Sequence, residues 1–504
     1  MLLRPRSRRL FEYGSIARHI DRAHRSDTLI IFILLFVIGG LSCSNLRRGN
    51  HDLSTPAPQG RHAVVISVDG LGSEFLEQKL QEGRLPNLAR LRAEGSWAEG
   101  VTGTYPSETK PAHTTLVTGK PPAEHGIYTN DKWSVSGKKT WSSEDIRIPT
   151  LWDATRHAHL SSAAISWPLA ADETAINWNL SGLLDPGNTR EAQLRRIAGN
   201  ATPGMIEEVL YGLGQIVLGA GDDAVRTRIA VYLMEKHKPN LLLLHFKDLD
   251  HVEHRYGPAS PEAAATIERI DGYIGALLAA LKESGLENTT DVFVVSDHGF
   301  MSYDIESQPN VLLAKAGLLI VNEHGKIIGG KVHTESNDGS FFLYWPESAH
   351  LKAQVEAALR PLCDLGLVRS VLYRDALAKL GADPAVQMAL EAPAGAIFGS
   401  HATGPLIQSL KRTRGAHGYL PSRRELQAVF IASGPGIRSG GDLHRVQLTD
   451  ICPTILTALG ISDPQSGSNL AIFMPGCCSN SSPVWSGIQA AKPETFVNPS
   501  QGRL

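Results

Sequence analysis

The 504-residue chain carries 49 Lys and Arg against 51 Asp and Glu, a formal net charge of −2 with neutral histidines. That balance excludes a general pull toward nucleic acid or anionic membranes, and nothing in the sequence suggests a nucleic-acid groove. With 42% hydrophobic and 20% charged residues, the composition is that of a globular protein long enough for one large core or several domains.

Residues 1–28 are rich in arginine (Arg4, Arg6, Arg8, Arg9, Arg18, Arg22 and Arg25) and precede an apolar run over 29–41. The run is short for a membrane-spanning helix, which needs ~20 residues, and suits the hydrophobic part of an export signal. It ends in Gly40-Leu41-Ser42-Cys43, which resembles a bacterial lipoprotein cleavage site with Gly40 where Leu is usual. Residues 1–43 therefore read as an export or lipoprotein signal. This places the protein in the periplasm or at the cell surface, membrane-anchored by an N-terminal lipid or by the signal itself. Residues 44–60, rich in Ser, Pro, Gly and Arg, read as a linker. The five cysteines form no C-x-x-C pair, and Cys363 and Cys452 read as buried thiols.

From residue 62 the chain alternates strands and helices. Short β-branched or Leu-rich runs predict buried strands at 62–68, 240–246, 291–296 and 427–432. Residues 86–94 read as a helix. Ser260 and Pro261 mark the start of another, whose apolar face is Ile267, Ile270, Ile274, Leu277, Leu278 and Leu281 and whose end is at Gly285. A closing helix is expected at 449–459. Continuous apolar strands separated by helices predict an α/β fold with a mostly parallel central sheet covered on both faces. The stretch 331–412 breaks this rhythm and reads as an inserted α+β subdomain within a catalytic domain spanning 61–475. Residues 476–504 read as a polar tail.

Three acidic motifs fall at strand ends. Asp69 directly follows the first strand, Asp250 and His254 closely follow the second, and Asp297-His298 directly follows the third. In an open α/β sheet the carboxyl ends of the strands share one edge, where ligands bind. Aspartate and histidine are zinc donors, and Asp250-x-x-x-His254 sets two of them one turn apart or around one tight loop. A further ligand is needed, and His417, between Gly415 and Gly418, is the best candidate. Singly, an Asp-His pair is commonly a solvated turn, and an Asp after a strand a helix cap. Convergence on one edge favours a metal site. Thr109 lies just ahead of a helix-like stretch, 114–118. There a hydroxyl either caps the helix or, beside a metal, serves as a nucleophile.

These residues match a known pattern. VVISVDG (64–70), LPNLARLRAEG (85–95), YPSETKPAHTTLVTGKPPAEHGI (105–127), AISWP (164–168), DHVEHRYGP (250–258), VVSDHGF (294–300), RGAHGY (414–419), VFIASGPGI (429–437) and TDICPTILTALGI (449–461) occur in order. Together they resemble the alkaline phosphatase superfamily, and within it the nucleotide pyrophosphatase/phosphodiesterase family. The resemblance implies an alkaline-phosphatase-like fold and two zinc ions per chain. One would be held by Asp250, His254 and His417, the other by Asp69, Asp297 and His298 with the hydroxyl of Thr109. It further implies that Thr109 forms a phospho-threonine during hydrolysis of a small phosphoester. Asn130 would donate to a phosphoryl oxygen.

The chain departs from the pattern at three positions. Where nucleotide-hydrolysing members place an aromatic after the nucleophile, this sequence has Lys110, which could bind a second anionic group of the substrate. A second stacking position, five residues ahead of Asp250, is His245, and Glu253 stands where Gly is usual. Phosphodiester or pyrophosphate hydrolysis is the expected activity; a phosphomonoesterase or phosphonate hydrolase of the same fold is the alternative. A sulfatase would need Cys or Ser in place of Thr109. A catalytically inactive binding protein fits a complete ligand set poorly.

Overall fold

A computed structural model of the protein describes residues 60–134, 137–171, 173–181, 200–214, 223–462 and 469–474. The signal read at 1–43, the tail at 476–504 and all but the last residue of the linker lie outside the described residues. Among the described residues no helix is long and apolar enough to cross a membrane.

The central sheet has eight strands: β1 (His62–Val68), β2 (Ser96–Trp97), β3 (Ser162–Ile165), β4 (Trp178–Leu180), β5 (Leu241–Phe246), β6 (Thr290–Val295), β7 (Phe430–Ser433) and β8 (Gly441–Asp442). Their spatial order is β8-β2-β7-β6-β1-β5-β3-β4. β1 lies in parallel register between β5 and β6, and β3 and β4 continue the parallel set. Side chains alternate between two buried faces, as strand geometry requires. Val64, Ile66, Val68, Leu242, Leu244, Val292 and Val294 join one apolar cluster, while Ala63, Val65, Leu241, Leu243, Phe293 and Val295 join the other. Both faces are covered, so these strands read as unbroken apolar runs.

β7 departs from the sequence reading. It spans Phe430–Ser433 rather than 427–432, and it runs antiparallel to β6 and β2. An antiparallel strand enters from the edge at which its parallel neighbours end. The chain just ahead of β7, including His417, is thereby carried to the carboxyl edge of β1 and β6.

The helices follow their local signals. α1 (Thr109–Thr118) ends at Gly119, whose φ of 67° is left-handed. α2 (Asp248–Tyr256) follows β5, and its first turn is held by the buried carboxylate of Asp223, which accepts from the N–H groups of Lys247 at 2.9 Å and Asp248 at 3.0 Å. Asp223 is in turn paired with buried Arg226 at 2.8 Å. α3 (Pro261–Glu283) starts as expected, with the Ser260 hydroxyl accepting from the N–H of Ala263 at 3.1 Å. α4 (Ile451–Ala458) packs its apolar face into the second cluster. Cys452 is buried there, but Cys363 is exposed on its helix, contrary to the reading of both as buried thiols.

Between β6 and β7 a four-stranded antiparallel sheet runs in the order His333–Asn337, Ser340–Tyr344, Met388–Glu391, Ser370–Tyr373. A three-stranded sheet pairs Met301–Ser307 with Gly395–Phe398 and Ile407–Ala416. Their shared apolar cluster includes Met301 and Tyr303 before residue 331, and Ala416, Tyr419 and Leu426 after residue 412. The buried pair Arg423–Glu391, at 2.7 Å, ties the loop after His417 to this sheet.

Candidate active site

Asp69 follows β1, Asp297 and His298 follow β6, Asp250 and His254 sit one turn apart on α2, and His417 follows Ile407–Ala416. The helix settles the spacing of Asp250 and His254: one turn, not a tight loop. The donors fall into two groups, Asp250 with His254 and His417, and Asp69 with Asp297 and His298. Within each, donor atoms lie within 4.8 Å of one another. The His298 and His417 rings stack at 3.9 Å, so the two groups adjoin. A third group, Glu99, Asp442 and His444, lies exposed at the surface.

The three histidines are oriented alike. Nδ1 of His417 lies 2.8 Å from the Ser107 carbonyl, Nδ1 of His254 3.2 Å from that of Gly415, and Nδ1 of His298 3.3 Å from that of Gly299. A carbonyl only accepts, so Nδ1 carries the proton and the Nε2 lone pair faces the pocket. There Nε2 of His298 lies 3.3 Å from Asp297 Oδ2 and 3.6 Å from Asp69 Oδ1. Nε2 of His254 and of His417 lie 3.4 Å and 3.9 Å from Asp250 Oδ1.

Four of these inward atoms, Asp69 Oδ1, Asp250 Oδ1, Asp297 Oδ2 and His298 Nε2, are buried without a hydrogen-bond partner. Lone pairs converging in a buried pocket need a cation between them. The residues present therefore fit a divalent metal, and a donor set of three carboxylates and three imidazoles suits zinc.

The second carboxylate oxygens of Asp297 and Asp69 are anchored. Asp297 Oδ1 accepts from the N–H of Gly70 at 3.1 Å and of His298 at 3.0 Å. Asp69 Oδ2 lies 3.0 Å from Nε2 of His245, whose Nδ1 faces the Ser166 carbonyl at 3.1 Å. Burial first, then Asp297 and Asp250, pushes the Asp69 carboxyl well above the usual carboxylate range. Burial also pushes Asp250 up, but His254, His417 and His298 outweigh it and hold that carboxyl low.

Two neighbours of the donors take roles that the sequence did not indicate. His245 is 1% exposed behind Asp69, so it is an anchor and not a stacking surface for a substrate. The signal was there, a histidine inside the apolar strand Leu241–Phe246. His113, one turn after Thr109, is fully buried. Its Nδ1 donates to the Thr109 carbonyl at 2.8 Å and lies 3.5 Å from Asp297 Oδ2. Its Nε2 is 2.8 Å from the Ser67 hydroxyl.

Thr109 is the first residue of α1, not a residue ahead of it. The cap position belongs to Glu108, whose own side chain does not cap this helix end. The Thr109 hydroxyl is therefore not spent on capping. Asn130 faces the same helix end. Its Oδ1 accepts from the Lys110 backbone N–H at 2.9 Å, which assigns the amide and leaves its NH2 as the donor it can offer a ligand. Its backbone N–H donates to Glu108 at 2.5 Å, and the Lys110 ammonium donates to its carbonyl at 2.6 Å. Burial pushes the Glu108 carboxyl up to about 8, although the Asn130 N–H opposes the shift.

The profile of one protein family, type I phosphodiesterase / nucleotide pyrophosphatase, matches residues 63–419. The chain belongs to that family. It is 25% identical over 244 residues to human ectonucleotide pyrophosphatase/phosphodiesterase family member 1, covering 47% of this chain and 23% of the relative. It is likewise 25% identical to venom phosphodiesterase 2 of Crotalus adamanteus, covering 47% and 26%. The chain thus matches about a quarter of the length of these relatives. Among solved structures, human ectonucleotide pyrophosphatase/phosphodiesterase 5 superposes with a TM-score of 0.60 at 18% identity, covering 81% of this chain and 97% of that one. The murine protein, an inactive threonine-to-alanine variant in complex with AMP, superposes at 0.58 with the same identity and coverage. These likenesses establish the alkaline-phosphatase-like α/β fold.

Proposed function

We propose that the protein hydrolyses phosphodiester or pyrophosphate bonds through a phospho-threonine on Thr109, using two zinc ions. One ion is assigned to Asp250, His254 and His417, the other to Asp69, Asp297, His298 and the Thr109 hydroxyl. The observation that carries this reading is the set of four buried, partnerless donor atoms in two adjoining groups. Thr109 is linked to them through His113, which bonds its carbonyl and approaches Asp297.

Bound there, the two ions would lower the pKa of the hydroxyl and neutralise charge on the attacking and leaving oxygens. The residues do the rest. The Thr109 oxygen, at the positive end of α1, attacks phosphorus as the bond to the leaving oxygen breaks. Water then cleaves the threonine ester and restores the hydroxyl. The Asn130 NH2, fixed by three hydrogen bonds of its own residue, donates to a phosphoryl oxygen.

The variant bound to AMP in the murine relative supports a threonine role and a nucleotide-like phosphoester. Lys110 favours a second reading. Its ammonium sits on the Asn130 carbonyl, beside the phosphoryl site, where it suits the extra charge of a phosphomonoester or phosphonate. Rates on bis-p-nitrophenyl phosphate and p-nitrophenyl phosphate, with zinc restored after chelation, decide between them. Faster diester cleavage supports the first reading; the reverse ratio supports the second. No turnover of either would leave a binding protein. Export with an anchor through residues 1–43 completes the proposal. Release of Cys43→Ala from the membrane fraction would support lipid attachment there.

A further inference from the structure

α2 brings a fourth acidic side chain toward the pocket. Glu253, three residues after Asp250, is 1% exposed, and both of its carboxylate oxygens are buried without a hydrogen-bond partner. Among the described residues no other carboxylate has both oxygens in that state. The surroundings offer it no donor. A Cβ built on Gly70, directly after Asp69, would lie 3.1 Å from Glu253 Oε2 and 2.6 Å from the Phe300 ring. On the other side Gly415 packs against the Glu253 backbone, where a Cβ would lie 2.4 Å from its carbonyl oxygen. Gly70 also holds a φ of 79°, so both space and backbone demand glycine there. The charged groups nearest in effect to Glu253 are the carboxylates of Asp250 and Asp297. Among the described residues no cationic side chain compensates it.

A buried carboxyl without partners is costly, and cations are the groups that would relieve it. Two divalent ions bring four positive charges, and Asp69, Asp250 and Asp297 answer three of them. We infer that Glu253 is the fourth carboxylate of the metal centre, facing the cations through bound water and tightening their retention. The inference rests on the two-metal reading above. It concerns a side chain outside both donor groups.

Metal retention tests it without an activity assay. Competition against a chromogenic chelator, with metal content read by mass spectrometry, gives the affinity of wild type, Glu253→Gln and Glu253→Met. Both variants are expected to bind zinc ~10–100-fold more weakly, the loss typical for groups that support metal ligands. Metal-free Glu253→Met is expected to melt above metal-free wild type, because an apolar chain of similar length replaces an uncompensated carboxyl. A purely structural Glu253 would give the opposite pattern. Wild-type affinity in Glu253→Gln, or a lower metal-free melting temperature in Glu253→Met, overturns the inference. Wild type that binds no divalent ion overturns the proposed function first, and this inference with it.

Discussion

Stripping divalent metal from the protein is expected to lower its melting temperature by about 10 °C. Four donor atoms, on Asp69, Asp250, Asp297 and His298, are buried without partners. Each costs ~1–3 kcal/mol, so ~4–12 kcal/mol is available to a cation that satisfies them. An ion at ~1,000 times its Kd stabilises by ~4 kcal/mol, and two independent sites by ~8 kcal/mol. Unfolding entropy of ~2.1 cal/mol/K per residue over ~400 residues is ~0.8 kcal/mol/K, which converts ~8 kcal/mol into ~10 °C. Calorimetry of chelated protein, then of the same sample titrated with zinc, measures the shift. Melting temperatures within ~1 °C of each other, where even ~1 kcal/mol should show, would refute the assignment. The donors would then be satisfying one another.

Three further outcomes follow from particular residues. His125 accepts the Ile127 N–H on Nδ1, approaches the Thr115 hydroxyl, and is pushed down to about 3 by burial. Its neutral form therefore contributes stability that is complete above pH ~6.5 and is lost as pH falls toward about 3. Urea unfolding across that window should show a shallower acid-side loss in His125→Gln. Arg423→Met leaves Glu391, 0% exposed, without its ion-pair partner. It is expected to cost ~3–5 kcal/mol by denaturant unfolding, much of it restored in Arg423→Met/Glu391→Leu. Asn130→Ala should lower kcat by ~10²–10³ with metal content unchanged, as loss of one phosphoryl-oxygen donor predicts.

Much of the site was legible because its chemistry is local in sequence. Asp69 and Asp297-His298 each end a β-strand, and strand ends in a parallel sheet share an edge. The spacing of Asp250 and His254 allowed one helical turn or a tight loop, and the helix Asp248–Tyr256 decides for the turn. The contact of His417 with that edge could not be drawn from spacing. It depends on β7 running antiparallel, a fact of pairing that an apolar run of four residues does not encode. The same limit hid the roles of His245 and His113. Both lie behind the first ring of donors, and only the packed sheet shows that one anchors Asp69 and the other joins Thr109 to Asp297. Thr109 itself became clearer. The sequence allowed a cap or a nucleophile, and the helix assigns the cap position to Glu108. Around 331–412 the broken rhythm pointed to a separate packing unit. Its apolar cluster reaches beyond those limits because Met301–Ser307 and Ile407–Ala416 pair across it.

The account stands most directly on the hydroxyl of Thr109. The measurement is turnover of bis-p-nitrophenyl phosphate by zinc-loaded Thr109→Ala, with metal content determined on the same sample. The expected result is hydrolysis at background and zinc still bound at both donor groups. Turnover near that of wild type in the metal-loaded variant would contradict the nucleophile assignment.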